Sequence, residues 1–324
     1  NSTEDYINKQ YDENTITGRV VAARNPGSWG NDVRVAIIDG KVDQVISGVD
    51  TNSPNGAAEI MVGYGVTQAI SATLPGVGST SMLDGYLKGI VTEVGMDTIG
   101  VKVVSHVSDA GTETFVDYQP DGVYQFATGA ALLGIHTAGQ TVAYATTASS
   151  GATDWFNSQT ITLAEGTISW SGIADRPGTS SFAAARGARH DEVHVVVIDD
   201  KGTVTGNAGT ILEKHLALSK AKDAEYSVGS PSYWRKYLYN NSENIFGGSQ
   251  PSMTVSTGFK SEFTALGDTA WDQNADGIVF AAAGNYNNVM SGGKNYAGIS
   301  TITSAGALTA SVASLSTGYD LFSN

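Results

Sequence analysis

An acidic residue, a serine and an asparagine occupy settings that serine hydrolases use for catalysis. Asp39 ends an apolar strand, Ser180 lies in a run of small residues, and Asn285 closes an alanine-rich segment. An activated serine needs a histidine that takes its proton, an acid that orients the histidine, and donors for the oxyanion. No histidine here is followed by glycine, as the histidine segment of such an enzyme requires, and the asparagine segment follows the serine segment instead of preceding it. We therefore expect no catalytic residues and no enzymatic activity.

A second candidate chemistry is zinc binding by His190 and His194. On a helix, two histidines four residues apart reach one ion. His194, however, begins a run of β-branched residues, which favours an extended strand in which four residues span about 13 Å. That separation is too long for one zinc ion, whose bonds to nitrogen are about 2 Å. The other histidines are isolated in the sequence, so we expect no metal site and no cofactor.

Residues 272–277, with the sequence Asp-Gln-Asn-Ala-Asp-Gly, resemble the first half of an EF-hand calcium loop. The twelfth position of such a loop is a bidentate glutamate, and here it is Ala283. We interpret the segment as a polar turn, and a weak calcium site of another geometry is the alternative. The sequence contains neither a phosphate-binding glycine loop nor a Gly-x-Ser-x-Gly elbow.

Composition narrows the class of protein that must position these residues. The 324 residues include 18 basic and 32 acidic side chains, a net charge of −14, and no stretch concentrates lysine and arginine as nucleic-acid binding requires. Cysteine is absent, which excludes disulfides and thiolate metal sites. No apolar run approaches the roughly 18 residues of a membrane span. With 41% hydrophobic residues and 39 glycines, the chain favours a large core built from strands and turns.

Two apolar strands of similar design, residues 33–38 and 193–198, indicate one buried sheet. Strands with so few polar positions are usually covered on both faces. A turn signal follows each strand, at residues 39–40 and 199–202. Because aspartate and glycine tolerate the backbone angles of tight turns, these signals predict that each strand continues into a hairpin.

Helices are predicted in the stretch 210–245. The first covers residues 210–217, and Ser219 follows it at the cap position of a short second helix. A third helix begins at Ser230-Pro231, because proline is favoured at the first helical position. The apolar residues of this third helix have helical spacing and are Trp234, Tyr237 and Leu238.

Residues 51–173 differ in composition and residue pattern from the segments that flank them. Short apolar runs alternate with turn residues, which is typical of an all-β module. Ten acidic residues stand against two lysines in this region, a net charge of −8. The strand candidates here are residues 59–62, 99–104 and 160–163. We interpret the region as an inserted domain that folds independently and faces solvent.

These patterns together predict an α+β fold dominated by β structure, in which a β-rich inserted domain interrupts a mixed α/β domain. Turn-rich segments at both ends of the insertion are suitable crossing points between two domains. The predicted divisions are a linker at 1–17, a discontinuous α+β domain at 18–50 plus 174–250, the inserted outer domain at 51–173, and a β-rich continuation at 251–324.

Two blocks of the sequence resemble the contractile tail sheath proteins of bacteriophages. The first, residues 23–33, has an arginine, a Pro-Gly turn and then Gly-Asn-Asp leading into a strand. The second begins with Arg-Pro-Gly-Thr-Ser at 176–180, continues with shorter matches through 191–224, and is extended by residues 233–242. The closing residues 316–322 are similar to the approach to that family's next domain. Together these stretches cover about a third of the chain.

The resemblance implies that hexameric rings of this protein stack helically around a tail tube and contract to drive the tube through a host envelope. It implies partners in the tail tube, baseplate and tail terminator proteins. It also implies a location in the phage tail of the virion and, during assembly, in the host cytoplasm. Termini that exchange strands between subunits, and a C-terminal α/β domain, would then lie outside these 324 residues.

The alternative function is a β-rich virion-surface or extracellular binding module that recognises a glycan or a host receptor. Its basis is a set of aromatic residues in the inserted region, since aromatic side chains commonly supply contact surfaces. This set consists of Trp155, Trp170, Tyr86, Tyr118 and Tyr124. Such residues are equally suited to an ordinary core.

Overall fold

The computed structural model describes residues 19–25, 27–52, 59–73, 82–120, 122–128, 130–135, 141–145, 151–251, 258–260, 265–267 and 271–294. Strands dominate these ranges, which confirms the β-dominated α+β class. The predicted linker at 1–17 and the resembling residues 316–322 lie outside the described residues. In the described ranges, every helix is too short or too polar to cross a membrane.

The strands, in chain order, are β1 (Val21–Ala23), β2 (Val33–Asp39), β3 (Gln44–Ser47), β4 (Gly65–Ala69), β5 (Ala72–Thr73), β6 (Met82–Leu83), β7 (Tyr86–Val94), β8 (Thr98–Val107), β9 (Glu113–Phe115), β10 (Leu132–Ile135), β11 (Thr141–Ala145), β12 (Gly151–Asp154), β13 (Thr160–Leu163), β14 (Gly166–Ser169), β15 (Glu192–Asp199), β16 (Thr210–Ser219), β17 (Glu225–Ser227), β18 (Ser230–Pro231), β19 (Ile245–Gly247), β20 (Gly258–Lys260), β21 (Ala265–Gly267), β22 (Ile278–Val279) and β23 (Asn285–Val289). The α-helices are α1 (Ser181–Ala184) and α2 (Trp234–Asn241). Short 3-10 segments lie at Ser28–Asp32, Phe156–Ser158 and Trp170–Gly172.

Four antiparallel strands form the central sheet, in the order β16-β15-β2-β23. In its register, Val195 lies opposite Ile37 and Val197 lies opposite Val35. The two apolar strands that the sequence singles out are therefore direct neighbours in one sheet, as predicted.

Both faces of the central sheet are covered, which confirms the interpretation of its apolar strands. On one face, Ile37 and Val195 share a core with Trp234 of α2. On the other face, Ile38 shares a core with Trp170. Since alternate residues of a strand point to opposite faces, a strand between two cores must be apolar throughout. Each such side chain contributes about 1.5–3 kcal/mol when fully buried.

Eight strands form the outer sheet, in the order β11-β10-β4-β7-β8-β3-β12, with β9 paired to β8. Its main core contains Leu87, Val101 and Phe126. Strand β3 belongs to this sheet, although the predicted division places residues 44–47 with the central strands. The four predicted divisions stay predictions, and the pairing of β3 shows where the chain changes sheet.

A hairpin from the 51–173 region packs on the central sheet. Strands β13 and β14 pair with each other, and Ile161 of β13 shares a core with Ala36 and Val196. Trp155 and Trp170, at the two ends of this hairpin, belong to the same core. The last part of the region therefore covers one face of the central sheet instead of facing solvent.

The predicted hairpin at residues 39–40 is wrong. Strand β2 pairs with β15 and β23, and after Gly40 the chain leaves the central sheet for β3. Asp39 is buried against distant groups instead of turning the chain. The hairpin after residues 199–202 is correct in kind, because β15 and β16 are antiparallel neighbours, but its second strand begins only at Thr210.

The predicted helix at 210–217 is also wrong, because this segment is strand β16. Ile211 lies against the core on the β13-β14 side, whereas Leu212 lies against the core on the α2 side. The apolar residues thus alternate between faces, and pairing along β15 outweighs their local helical spacing. Ser219 ends this strand, donates its hydroxyl hydrogen to Asp191 and caps no helix.

Two further local predictions need correction. The helix expected after Ser230-Pro231 exists as α2 but begins at Trp234, because Ser230-Pro231 pairs with β17 as strand β18. Residues 59–62 have no regular structure. The strands predicted at 99–104 and 160–163 are present in β8 and β13.

Candidate functional site

Ser180, the candidate nucleophile, serves as a helix cap. Its Oγ accepts a hydrogen bond from the Ala183 N–H at 3.1 Å and donates to Asp191 at 2.8 Å. Ser180 N–H also donates to Asp191. Among the described residues, no histidine ring contacts this hydroxyl. Asp191 therefore contacts the serine directly, whereas the acid of a catalytic triad contacts the histidine.

Asn285, the candidate oxyanion donor, tethers the β13-β14 hairpin. Its Oδ1 accepts a hydrogen bond from the Trp170 indole at 3.2 Å, and its Nδ2 donates to the Thr160 carbonyl at 2.8 Å. Asn287 makes a similar bond to the Thr162 carbonyl at 3.1 Å. Two amides on edge strand β23 thus hold the hairpin that covers the central sheet.

The two candidate zinc ligands have separate contacts. His194 Nδ1 accepts a hydrogen bond from the Ala217 N–H at 2.9 Å, and Nε2 lies 2.8 Å from the Asp175 carbonyl oxygen. Both ring nitrogens of His194 are therefore used by the backbone. His190 precedes β15 in the left-handed region, with φ of 57°. The described ranges contain no group of three or more histidine and carboxylate side chains that could hold a metal ion.

Asp272, the first residue of the EF-hand-like segment, is bound to the start of α2. Its carboxylate accepts hydrogen bonds from the Tyr233 hydroxyl at 2.7 Å and the Trp234 indole at 3.2 Å, and it forms an ion pair with Arg235. Protein groups therefore satisfy the carboxylate that would begin a calcium loop.

Asp39 forms its main contacts with Lys220, in what we name the Asp39–Lys220 centre. Lys220 Nζ lies 2.9 Å from Oδ1 and 3.0 Å from Oδ2, and the two residues are 1% and 0% exposed. The Ala283 N–H donates to Oδ2 at 2.9 Å, and the Ala281 carbonyl accepts from Lys220 at 3.0 Å. The centre therefore joins the end of β2, the end of β16 and the segment before β23.

Two aromatic rings close this centre. Lys220 Nζ lies 5.4 Å from the Trp271 ring centroid and 5.9 Å from that of Phe280. The Trp271 indole also donates to the Ala281 carbonyl at 2.7 Å. Burial raises the pKa of Asp39, although Lys220 opposes this, and burial lowers the pKa of Lys220, although Asp39 opposes this. Both shifts favour the uncharged forms of the pair.

The crossover from the central sheet to the outer sheet carries further charges. Lys102 of β8 donates to the Gly40 carbonyl and lies 3.5 Å from Asp43. Asp43 in turn accepts a hydrogen bond from the Val103 N–H at 2.9 Å. These contacts fix the crossover against β8, an inner strand of the outer sheet.

His190 is buried near the same crossover, which we also call the junction between the sheets. Its Nδ1 is 3.9 Å from Asp117. Burial lowers the pKa of His190 well below its usual value, and the positive charges of Lys102, Arg189 and Lys220 add to the shift. The imidazole is therefore neutral at neutral pH.

In the first of the two blocks, residues 24–25 and 27–32 form what we name the entry loop, which binds the end of α2. Arg24 donates to the carbonyls of Tyr239 at 2.8 Å and Ser242 at 3.0 Å, and its guanidinium lies 4.7 Å from the Phe246 ring centroid. The last carbonyls of a helix lack partners within it, so a cation there is favourable.

The entry loop also binds the loop after β15, which contains some of the matched positions of the second block. Asp32 accepts hydrogen bonds from Lys201 at 2.6 Å and Thr203 at 2.9 Å, and these contacts lower its pKa. Arg34, which follows the entry loop in β2, pairs with Asp200 at 2.8 Å. The entry loop and the loop after β15 are therefore in direct contact.

A third contact joins the entry loop to the segment after β23. Asn31 and Gly293 exchange two hydrogen bonds of 2.8 Å each. A Cβ at Gly293 would lie 2.1 Å from the Gly27 carbonyl oxygen, so only glycine fits this close approach. The entry loop thus connects three segments that are distant from it in the sequence.

Sequence reasoning missed Lys220 as a partner of Asp39. The two residues are 181 positions apart, and no local pattern marks a lysine that will be buried by tertiary packing. The available signal was an aspartate at the end of an apolar strand, which indicates that the carboxylate enters a core and needs a partner there.

Comparison with known proteins adds no family to this description. No protein family, curated protein or solved structure matches the chain. The functional interpretation therefore depends on the contacts described above and on the resemblance of the two blocks.

Proposed function

We propose that this chain is a structural subunit of a contractile phage tail sheath. Hexameric rings of the protein would stack helically around a tail tube and contract to drive the tube through the host envelope. The subunit would act without catalysis, cofactor or metal. Its partners would be further copies of itself and the tail tube, baseplate and tail terminator proteins. Its location would be the virion tail and, during assembly, the host cytoplasm.

The observation that carries the proposal is the spatial convergence of the sheath-like stretches. Arg24 of the first block binds the end of α2, and Asp32 binds Lys201 and Thr203, which lie between matched positions of the second block. Stretches that lie far apart in sequence therefore belong to one structural unit, built on the central sheet. A common origin of the set requires such a unit, and the contacts are consistent with it.

The contacts of two candidate catalytic residues and of the candidate calcium ligand also support a structural function. Ser180, Asn285 and Asp272 are each satisfied by neighbouring protein groups. In a sheath subunit, residues that hold strands and loops together are the functional residues, because the assembly acts through repeated heterologous contacts between rigid units.

A glycan- or receptor-binding module is the second candidate. One observation favours it: a groove of about 700 Å³ on the outer sheet includes Tyr86, Lys88 and Leu133 in its lining. The other aromatic residues that motivated this candidate lie in cores or pack against them, namely Trp155, Trp170, Tyr118 and Tyr124. The sheath proposal therefore remains the stronger one.

Electron microscopy of the complete gene product tests the proposal. We expect negatively stained samples, expressed together with the tail tube protein, to contain tubes or six-fold rings. Residues 1–324 by themselves should sediment as a monomer, because the net charge of −14 opposes self-association.

Two results would contradict the proposal. One is a complete gene product that stays monomeric with the tail tube protein present. The other is specific, saturable binding of the monomer to an immobilised glycan that a Tyr86→Ala variant loses, with a Phe115→Ala variant as the matched exposed aromatic control. The second result would favour the binding module.

A further inference from the structure

The Asp39–Lys220 centre holds an amine and a carboxyl group in contact within a site that excludes water. Lys220 Nζ contacts both oxygens of Asp39, at 2.9 and 3.0 Å. Side-chain exposure is 0% for the lysine and 2% for the aspartate. Water would hydrolyse an activated carboxyl group and hydrate the amine, so its exclusion favours direct reaction between the two.

We propose that Lys220 and Asp39 join in an intramolecular amide bond between Nζ and the side-chain carboxyl carbon. This inference goes beyond the proposed sheath function and does not depend on it. The product is a covalent link between the end of β2 and the residue that follows β16.

The reaction balances without an oxidant, a reductant or a second substrate. A proton first moves from the Lys220 ammonium to Oδ1 of Asp39, which gives a neutral amine and a carboxylic acid. The amine nitrogen then attacks the carboxyl carbon, and a C–N bond forms. A second proton moves from nitrogen to Oδ1, the C–Oδ1 bond breaks, and one water molecule leaves. The amide nitrogen keeps one hydrogen, and no atom changes its oxidation state.

The backbone around the pair suits this reaction. Ala283 N–H donates to Oδ2, the oxygen that stays in the amide and carries negative charge while the carbon is tetrahedral. A donor that is aimed at such an oxygen in advance stabilises the transition state. The Ala281 carbonyl accepts from Lys220 and orients the amine. Oδ1, in contrast, has Lys220 as its contact and is the oxygen that leaves.

The protonation equilibria of the pair favour the first step. An ammonium cannot act as a nucleophile, and a carboxylate is a poor electrophile, so both charges must be removed before attack. Burial lowers the pKa of Lys220 and raises that of Asp39. Charge separation is costly away from water, and the neutral pair is correspondingly easier to reach.

Other lysine–carboxylate pairs of the described residues lack this combination. Lys102 lies 3.5 Å from Asp43, a longer distance, and its shorter contact is the Gly40 carbonyl. Lys201 is in close contact with Asp32, but its side chain is 57% exposed. Close contact and complete burial occur together at Lys220.

The bond would have a mechanical consequence. The residues it joins are 181 positions apart, so the outer sheet would lie inside a covalently closed loop. Strand β15 lies between β2 and β16, and the link would therefore pass across its N-terminal end. Closing a long loop lowers the entropy of the unfolded chain and so stabilises the folded one.

Mass spectrometry of the denatured protein tests the proposal directly. We expect the measured mass of the intact chain, after incubation of the folded protein, to be lower than the mass calculated from its sequence by one water molecule. Trypsin should then release a branched species that joins residues 35–41 to residues 215–222, because an acylated Lys220 resists cleavage. Fragmentation of this species should locate the link at Asp39 and Lys220.

A control is needed for dehydration at the Asp39-Gly40 sequence itself, since such pairs can cyclise to a succinimide with the same loss of mass. Hydroxylamine cleaves a succinimide and leaves the proposed amide intact. A succinimide would also appear in a linear peptide of residues 35–41, with Lys220 free and cleaved by trypsin.

Variants complete the test. Lys220→Met should restore the full mass and lower the melting temperature by about 10 °C, as loss of a covalent loop closure predicts. Lys102→Met removes another buried lysine and should keep the branched peptide. A wild-type protein of full mass with linear peptides, or with a succinimide alone, would overturn the proposal, and this result does not require that any variant folds.

Discussion

The central and outer sheets use strands in different ways. In the central sheet, β2 and β15 are buried along almost their whole length, and each contributes side chains to two cores. In the outer sheet, β8 is similarly buried, but β4, β7 and β12 alternate or end in exposed residues. The central sheet is thus an interior layer, whereas the outer sheet becomes a surface toward its edges.

This difference shows how the two regions depend on each other. The central sheet needs cover on both faces, and the 155–170 segment supplies one of these covers. The outer sheet has its own core around Phe126 and Val101 and does not need the central sheet for that core. We therefore expect the dependence to be unequal, with the central sheet more sensitive to changes in the 51–173 region than the outer core is to changes elsewhere.

Two deletions give the largest expected effect and test whether the inserted region is independent. Replacing residues 52–150 with a Gly/Ser linker should leave a protein that melts cooperatively, because Ser47 and Gly151 are already paired neighbours. Replacing residues 52–173 should abolish the cooperative melt, since it also removes Trp155 and Trp170. Calorimetry of both variants measures this. Cooperative melting of the larger deletion would instead support the independent insertion that the sequence predicts.

Truncation of Trp170 should give the next largest effect. The side chain is fully buried between the hairpin and the central sheet, so Trp170→Ala should lower the free energy of unfolding by about 3–5 kcal/mol. The matched control is Phe115→Ala in the outer strand β9, where the ring is 48% exposed and the expected loss is below about 1 kcal/mol. Denaturant titration compares them, and equal losses would remove the distinction between the regions.

Substitution of one glutamate in each sheet compares how much polar contacts contribute to the free energy of unfolding. Glu213 of β16 accepts hydrogen bonds from Ser242 and from the backbone of Glu243 and Asn244, so Glu213→Ala should cost about 2–3 kcal/mol. Glu113 of the outer sheet is 40% exposed in its pair with Lys88, and Glu113→Ala should cost less than about 1 kcal/mol. Chemical denaturation at neutral pH measures both losses, and a larger loss at Glu113 would contradict the comparison.

The pH dependence of Glu213 gives a second measurement. Burial by itself raises the pKa of Glu213, but the hydrogen bonds from His215, Ser242 and the following backbone outweigh it and hold the pKa at about 2. The pKa of Glu213 is lower in the folded chain than in the unfolded chain. Its ionised carboxylate therefore contributes to the free energy of unfolding above about pH 4.3, and this contribution is lost as the pH falls toward 2. A Glu213→Gln variant should lose less stability than the wild type across this window.

His190 should give the smallest effect and reports on the junction between the sheets. Its folded pKa is below the unfolded value, so the unfolded chain binds the proton more readily and stability falls as pH decreases from about 6.5. One such group contributes at most about 1.4 kcal/mol per pH unit. His190→Asn, a residue that tolerates the positive φ at this position, should flatten the slope between about pH 6.5 and 5. An unchanged slope would indicate another titrating group.

Much of the central sheet could be predicted because its information is local. The runs 33–38 and 193–198 contain almost only apolar residues, and such runs require two covered faces wherever they are placed. The turn signal at residues 199–202 is also local, and a hairpin does follow it. The second strand of this hairpin, β16, begins at Thr210, later than predicted. The α2 helix was recognised from its apolar spacing, and only its start at Trp234 was missed.

The failures occurred where a distant partner decides the local structure. Residues 210–217 have helical spacing, yet the free edge of β15 pairs with them as a strand. Asp39-Gly40 has the composition of a turn, yet Lys220 draws the carboxylate into the core. In each case a contact between residues far apart in the sequence outweighs a local conformational preference. This is expected, because such preferences are weak and tertiary packing routinely overrides them.

The sequence by itself determined the β-dominated class, the two interior strands and the absence of cysteine chemistry, because these follow from residue types and their immediate neighbours. Only the tertiary structure decided that Arg24 binds the end of α2, that Asp32 binds the loop after β15, and that Asp39 contacts Lys220. Such contacts depend on how strands are ordered in a sheet, and that order depends on the packing of both cores at once. No local pattern contains that information.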